Sequence, residues 1–99
     1  MTNPVKKTAL VTGAARGLGF EIARRLIADG MTVVITDVAE DAVGAAAEEL
    51  GSAAVPVRAD VTSDDDMTTL FRLVEERLGR LDVVIANAGA ARVVSLPER

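Results

Sequence analysis

The amino-acid sequence predicts an α/β fold in which four parallel strands form a doubly wound sheet joined by three crossover helices. Two observations favour this fold class. Short apolar runs alternate with longer segments of helical periodicity, and no linker or low-complexity segment divides the 99 residues. The runs are also almost continuously apolar, as expected when both faces of a parallel sheet are covered. The predicted strands are Ala9–Val11, Val33–Ile35, Val55–Val57 and Val83–Ile85.

The segments between the first three runs predict two helices. Gly30 is placed to end the first helix in a left-handed conformation. The second helix is expected over about Ala39–Leu50, is rich in alanine and stops at Gly51. The first helix is indicated by apolar residues that recur on one helical face, namely Leu18, Ile22, Ala23, Leu26 and Ile27.

The third helix has the clearest sequence signals. Ser63 is a candidate cap for its N-terminus, and three aspartates follow in the first turn, where the helix dipole favours negative charge. Gly79 is expected to end it. The predicted buried stripe consists of Met67, Leu70, Phe71, Val74 and Leu78.

Pro56 indicates the order of the strands. A proline has no N–H to donate within a central ladder, so the third strand is expected at a sheet edge, as in the order 3-2-1-4. In that order nothing pairs beyond Val83–Ala86. We therefore expect this free edge to promote self-association, or to pair with a further part of the protein.

Composition excludes several classes of function. The formal net charge is −4, and no basic run is longer than a pair such as Lys6-Lys7, so neither nucleic acid nor an anionic membrane is expected as the main partner. Cysteine and histidine are absent, which excludes Ser-His-Asp triads, cysteine nucleophiles and metal sites of thiolate or imidazole. The start of the chain lacks a secretory signal and no run is long enough to span a bilayer, so we expect a cytoplasmic protein.

A glycine-rich segment, Thr12–Gly19, lies between the first strand and the first helix. Gly13 permits a sharp turn, Gly17 allows a ligand to approach the backbone, and Gly19 allows close packing of the helix. The helix N-terminus adds unpaired N–H groups and a positive dipole. Because the glycines follow a strand and open a helix, the segment predicts a pyrophosphate-binding turn; a purely structural turn is the alternative.

The spacing Gly-x-x-x-Gly-x-Gly resembles the fingerprint Thr-Gly-x-x-x-Gly-x-Gly of the short-chain dehydrogenase/reductase family. Asp37, Asp60-Val61 and Asn87-Ala88-Gly89 follow the next three strands, where that family has its other motifs. The resemblance implies that residues 1–99 form a truncated, partial Rossmann domain that binds NAD(P). The cofactor-binding residues that it implies are Gly13, Arg16, Gly17, Leu18, Gly19, Asp37, Asp60, Val61, Asn87, Ala88 and Gly89.

Asp37 bears on the choice of cofactor. It follows Gly13 by 24 residues, near the interval of about 20 for an acidic residue that binds the adenosine ribose. Its carboxylate would repel a 2′-phosphate, which favours NAD over NADP, although Arg16 offers a positive charge to such a phosphate. The alternative for Asp37 is a helix cap.

The resemblance also implies roles for the two later motifs. It places the Asp60 side chain at the adenine amino group, with the Val61 backbone beside it; simple turn polarity is the alternative. The Asn87-Ala88-Gly89 segment, with Thr12, would hold the strand ends together and line the nucleoside and nicotinamide part of the cleft. By itself that triplet is an ordinary turn signal. Ala86 stands where the family often has a second asparagine.

The catalytic residues of the family are missing from this chain. Members transfer hydride between nicotinamide and an alcohol or carbonyl group with a Tyr-x-x-x-Lys pair and a serine. Tyrosine is absent here, and the only lysines precede the first strand. The three serines, Ser52, Ser63 and Ser95, occupy predicted loop or cap positions. The chain alone is therefore predicted to bind NAD without catalysis.

Two other classes of function are open to this sequence. One is a non-catalytic module that binds nucleotide or self-associates. The other is a flavodoxin-like signalling receiver, with Asp60 as the phosphorylated carboxylate. The receiver chemistry needs an acidic pair after the first strand to hold a divalent cation, and Thr12-Gly13 stands there instead. The first turn therefore argues against a receiver.

Overall fold

From the first strand to the fourth, strands and helices alternate along the chain in the order that the sequence predicts. The computed structural model describes residues 6–87 and 92–95. The strands are β1 (Thr8–Thr12), β2 (Thr32–Asp37), β3 (Ala54–Arg58), β4 (Val83–Ala86) and β5 (Arg92–Ser95). The helices are α1 (Gly17–Ala28), α2 (Glu40–Leu50) and α3 (Asp64–Leu78). None of the helices in the described ranges has the length and apolarity that a membrane crossing requires.

The sheet has the order β3-β2-β1-β4-β5, and its first four strands are parallel. This confirms the predicted order 3-2-1-4. Pro56 lies in the edge strand β3, opposite Ile35 of β2, so its missing N–H interrupts no ladder on the outer side. Because these four strands run in the same direction, their carboxyl ends meet at one edge of the sheet.

The predicted free edge at Val83–Ala86 is wrong. β5 pairs with β4 in antiparallel orientation, from Val83 opposite Ser95 to Ala86 opposite Arg92. The backbone groups on the outer side of β4 are therefore occupied, and self-association through them loses its basis. The sequence did not signal β5 because Val93-Val94 is too short an apolar run to stand out from a loop.

Side chains alternate between two core layers, one on each face of the sheet. On the face covered by α1 and α2, strand residues such as Val11 and Ile35 pack with Ala23 and Val43. On the face covered by α3, Leu10 and Val34 pack with the helix side chains of Leu70 and Val74, and Ala59 joins them. Leu10 and Val34 are fully buried. The near-continuous apolar runs follow from this double coverage.

The helix ends confirm the capping signals. The hydroxyl of Ser63 accepts a hydrogen bond of 3.2 Å from the N–H of Asp66, and Gly79 ends α3 in the left-handed region with φ of 73°. After α1, Gly30 has φ of 95° and its N–H donates to the carbonyl of Ile27 at 2.9 Å. The N–H of Met31 donates to the carbonyl of Leu26 at 3.1 Å, which completes a Schellman motif.

One member of the predicted α3 stripe does not belong to the core. Leu70 and Val74 are buried, and Met67 and Leu78 pack partly against the same cluster. Phe71 is 40% exposed, so its placement in the buried stripe was wrong. It follows Leu70 by about 100° around the helix, which turns it toward the flank rather than the sheet.

At the amino ends of β1 and β4, Asp82 joins the two strands. Its Oδ2 accepts hydrogen bonds of 2.8 Å from the N–H of Thr8 and from Nε of Arg80. Its Oδ1 accepts a bond of 2.6 Å from Nη2 of Arg80. The hydrogen bonds from Arg80, with that from Thr8, hold the pKa of Asp82 below its ordinary value. The charged carboxylate therefore stabilises the folded chain.

We expect Asp82→Asn to lower the free energy of unfolding by about 1 kcal/mol at pH 7, because charge-assisted hydrogen bonds are lost. A lowered folded-state pKa stabilises above the unfolded-state pKa, and that contribution disappears as pH falls through the folded value. The difference between wild type and variant should therefore shrink below about pH 4. Urea unfolding followed by circular dichroism at pH 7 and pH 3 measures it.

The control is Asp29→Asn, which breaks an ion pair with Arg25 on the surface of α1. Exposed pairs of this kind contribute little, so this variant should unfold like wild type. An Asp82→Asn variant as stable as Asp29→Asn at pH 7 would contradict the assignment.

Candidate functional site

The turn between β1 and α1 is held in place by the end of β2. The N–H of Ala14 donates to the carbonyl of Thr36 at 3.0 Å, and the N–H of Ala15 donates to Oδ2 of Asp37 at 3.2 Å. Gly13 and Gly17 flank this segment with φ of 61° and 62°, in the left-handed region that favours glycine. The backbone path of the turn therefore depends on both glycines.

Gly19 lies in direct contact with the turn. A Cβ atom at this position would lie 2.3 Å from the carbonyl oxygen of Gly13 and 2.6 Å from Nδ2 of Asn87. Any side chain would push the first turn of α1 away from the strand ends. At Gly17, by contrast, a Cβ would meet nothing within 4 Å, so this part of the turn faces open space.

The first turn of α1 presents unpaired hydrogen-bond donors to that space. Arg16 is the N-cap, and its side chain makes no capping bond. Among the described residues, no acceptor bonds the N–H groups of Gly17, Leu18 or Gly19. Leu18 is 61% exposed, and Arg16 is exposed as well. Free N–H groups at the positive end of a helix dipole suit a phosphate anion.

Asn87 ties the end of β4 to the same turn. Its N–H donates to Oγ1 of Thr12 at 2.9 Å, and its Nδ2 donates to the carbonyl of Gly13 at 3.2 Å. Asn87 therefore holds the strand ends together, as the family resemblance implies for this motif. Ala88 and Gly89, the other two residues of the motif, lie outside the described residues.

Asp37 ends β2 beside the glycine-rich turn. Its Oδ2 accepts from the N–H of Ala15, and its Oδ1 accepts from the N–H of Val38 at 2.8 Å. The alternative role as a helix cap is wrong, because Ala39 is the N-cap of α2 and makes no side-chain bond. A carboxylate has about four acceptor sites, so Asp37 retains capacity for hydroxyl groups of a ligand.

Asp60 follows β3 in a turn that constrains its carboxylate. Its Oδ1 accepts from the N–H of Thr62 at 2.9 Å and from the Thr62 hydroxyl at 2.6 Å. The Thr62 hydroxyl, then its N–H, holds the pKa of Asp60 below the ordinary value, so this group is charged at neutral pH. Within the described part of the chain, no donor contacts Oδ2.

The structure also brings Val38, Arg58 and Asp66 to this edge, and the sequence pattern assigned none of these three residues to the site. Nε of Arg58 donates to the carbonyl of Val38 at 3.1 Å, and its Nη1 lies 2.9 Å from Oδ2 of Asp66. The same Oδ2 accepts from the N–H of Asp60 at 2.9 Å. No motif marks these residues, and only the tertiary structure brings Arg58 to the loop after β2.

The glycine-rich turn and the side chains of Asp37, Asp60 and Asn87 thus share the carboxyl edge of the parallel strands. Unpaired N–H groups there suit an anion, while the two carboxylates suit hydroxyl and amino donors. Across the described ranges, no three histidine, cysteine, aspartate or glutamate side chains are grouped closely enough to hold a metal ion. The donors and acceptors at this edge are of the kinds that would bind a phosphorylated, hydroxyl-bearing ligand.

The chain is similar to known proteins in both sequence and structure. A family model described as short chain dehydrogenase matches residues 7–98. An uncharacterized oxidoreductase of Mycobacterium bovis is 47% identical over 88 residues, which cover 87% of this chain and 36% of the relative. A 3-beta-hydroxysteroid dehydrogenase of Comamonas testosteroni is 43% identical over 90 residues, 90% of this chain and 35% of the relative. The chain spans about a third of the length of these curated relatives.

Solved structures share the fold. A 3-ketoacyl-(acyl-carrier-protein) reductase from Brucella melitensis, crystallised in complex with NADH, superposes with a TM-score of 0.76 and 32% identity. That match covers 82% of this chain and 34% of the reductase chain. The menthone neomenthol reductase of Mentha piperita has a TM-score of 0.80 and 31% identity, over 87% of this chain and 32% of its own.

We expect Gly19→Ala to destabilise the chain by about 1–3 kcal/mol, because the added methyl group collides with the backbone carbonyl of Gly13 as well as with the side chain of Asn87. The matched control is Gly44→Ala in α2, where a Cβ would meet nothing within 4 Å. Alanine favours helix over glycine, so this control should stabilise by about 1 kcal/mol. Thermal unfolding of both variants tests the contact; equal effects of the two substitutions would contradict it.

Proposed function

The chain belongs to the short-chain dehydrogenase family, and we propose that it forms the NAD-binding portion of an oxidoreductase. The observation that carries this proposal is that the open space over Gly17 lies beside N–H groups of the first turn of α1 that have no acceptor among the described residues. A dinucleotide needs a place where its pyrophosphate meets backbone donors without a side chain between them. This turn supplies such a place.

The residues at the carboxyl edge fit the other parts of NAD. The N–H groups of Gly17, Leu18 and Gly19 would hold the pyrophosphate, with Gly13 and exposed Arg16 beside them. Asp37 would accept hydrogen bonds from the adenosine ribose. Asp60 would accept one from the adenine amino group through Oδ2, which no donor in the described ranges contacts. Val61 flanks Asp60 and is 38% exposed. The segment formed by Asn87, Ala88 and Gly89 would line the nucleoside and nicotinamide part.

Asp37 is the basis for proposing NAD rather than NADP. Two backbone N–H groups, of Ala15 and Val38, hold its carboxylate at the end of β2. A 2′-phosphate brought to the same ribose would meet this fixed negative charge, and the repulsion disfavours NADP. Arg16 supplies one positive charge directly after Ala15, but its side chain makes no contact that would neutralise Asp37.

In the oxidoreductase that we propose, bound NAD would supply hydride exchange between its nicotinamide ring and an alcohol or carbonyl substrate. The present chain has no tyrosine, and its two lysines precede β1, so it has no Tyr-x-x-x-Lys pair to transfer the proton. We therefore propose that these 99 residues bind the cofactor without turnover. A chain free of cysteine suits the reducing cytoplasm, where we place it.

Titration of the purified chain with NADH and, separately, NADPH tests the proposal. Wild type should bind NADH more tightly. Asp37→Asn should weaken NADH binding by about tenfold, since charge-assisted bonds to the ribose are lost, and should improve NADPH relative to NADH. Nicotinamide fluorescence serves as the readout because the chain has neither tryptophan nor tyrosine, and calorimetry provides a second measurement.

The ratio of the two affinities separates recognition from loop packing. Asp37 also holds the N–H of Ala15, so a merely loosened turn would weaken NADH and NADPH alike. Asp41→Asn, an exposed carboxylate in the first turn of α2, is the control for charge alone and should leave the ratio unchanged. A folded wild-type chain that binds neither nucleotide would refute the proposed function.

A further inference from the structure

We infer that Arg58 and Asp66 are positioning residues for the adenosine end of the dinucleotide, an inference that rests on the proposed function. They touch none of the glycine-rich turn. Instead, their ion pair links the loop after β2 to the loop after β3, and it places the backbone of Asp60. Neither residue belongs to the motifs that identify the site.

The Arg58 side chain connects two separate loops. Arg58 ends β3 in register with Asp37 of β2. Its Nε donates to the carbonyl of Val38 at 3.1 Å, just after β2, while its Nη1 donates to Asp66 in the first turn of α3 at 2.9 Å. A guanidinium group makes both bonds at once because its donors point in fixed, different directions. The loop after β2 is thereby tied to the start of α3.

Asp66 also connects Arg58 to the backbone of Asp60. Its Oδ2 accepts both from Nη1 of Arg58 and from the N–H of Asp60, each at 2.9 Å. Asp66 is itself held, because its N–H donates to the hydroxyl of Ser63. Thr62 restrains the Asp60 carboxylate through Oδ1, so both the backbone and the side chain of Asp60 are fixed. Its Oδ2 is the remaining acceptor of that carboxylate.

The two loops joined by Arg58 also carry exposed apolar side chains. Val38 is 55% exposed and Val61 is 38% exposed. They follow β2 and β3, at the strand ends that carry Asp37 and Asp60. Two exposed valines beside a constrained acceptor suit a flat aromatic ring with an amino group. Fixing both loops in advance lowers the entropy lost when such a ring binds.

A purely stabilising role fits these contacts less well. The side chains of Arg58 and Asp66 are 46% and 31% exposed, and ion pairs on a surface contribute little to folding stability. Arg25 and Asp29 form another exposed ion pair, but one that lies within α1 and its cap and joins no loops. The Arg25–Asp29 ion pair is therefore the matched control for Arg58–Asp66.

The experiment measures dissociation constants of the 99-residue chain for NADH and for ADP-ribose by calorimetry, with an unfolding midpoint for each variant. Arg58→Gln and Asp66→Asn should each weaken both ligands by about five- to tenfold, and by the same factor, because the ligands share the adenosine half. The double variant should lose less affinity than the product of the two single losses, because both substitutions remove the shared Arg58–Asp66 ion pair. Arg58→Lys, which keeps the charge but only one donor group, should recover part of the loss.

Each outcome bears on one claim. A wild-type chain that is folded but binds neither ligand overturns the proposed function. If the wild type binds and the dissociation constants of Arg58→Gln and Asp66→Asn equal that of Arg25→Gln, the positioning role is overturned. The proposed function then stands. Affinity losses that accompany a fall in the unfolding midpoint in both variants also overturn it, because they indicate a structural effect. Weakened binding at an unchanged midpoint supports it.

Discussion

The close contact between α1 and the carbonyl of Gly13 is the constraint on which the carboxyl edge of the sheet depends. Gly19 allows the first helical turn to approach where a Cβ would lie 2.3 Å from that oxygen. The same oxygen accepts a hydrogen bond from the amide of Asn87, so α1, β1 and β4 converge on one peptide group. This convergence directs the unpaired N–H groups of α1 into the space beside Gly17. Without it, the helix would still bury its apolar face, but its N-terminus would no longer be seated on the strand ends.

Charged side chains at this edge support the backbone, and the same side chains belong to the proposed cofactor site. Asp37 holds the turn through the N–H of Ala15, and Asp60 is held through Thr62 and Asp66. A carboxylate that is bound by local donors loses little freedom when a ligand arrives, which is the benefit of preorganisation. The structural role of these residues therefore coincides with the ligand-binding role that we propose for them. Asp82 differs from Asp37 and Asp60 because its hydrogen bonds join β1 and β4 at the opposite edge of the sheet, away from the glycine-rich turn.

Most of the fold was predictable because its signals are local. Strand cores, helix caps and the edge position of Pro56 follow from apolar runs, from Ser63 and Gly79, and from a missing N–H. Two features were not predictable in this way. β5 depends on pairing with β4, since its own apolar run is too short to indicate a strand. Phe71 is apolar and correctly spaced, yet the orientation of α3 on the sheet leaves it 40% exposed. Both outcomes are decided by partners distant in sequence.

The sequence by itself determined the order of the elements through β4, the parallel sheet and the glycine-rich turn, while its resemblance to a known family marked Asp37, Asp60 and Asn87. It did so because glycine conformation, helix capping and hydrophobic periodicity act over a few residues. Only the tertiary structure decided that Asp37 is bonded to the turn rather than to α2, that Arg58 reaches Val38 and Asp66, and that β5 covers β4. These contacts join segments whose separation closes only when the sheet assembles, and side-chain directions at strand ends are fixed by that assembly.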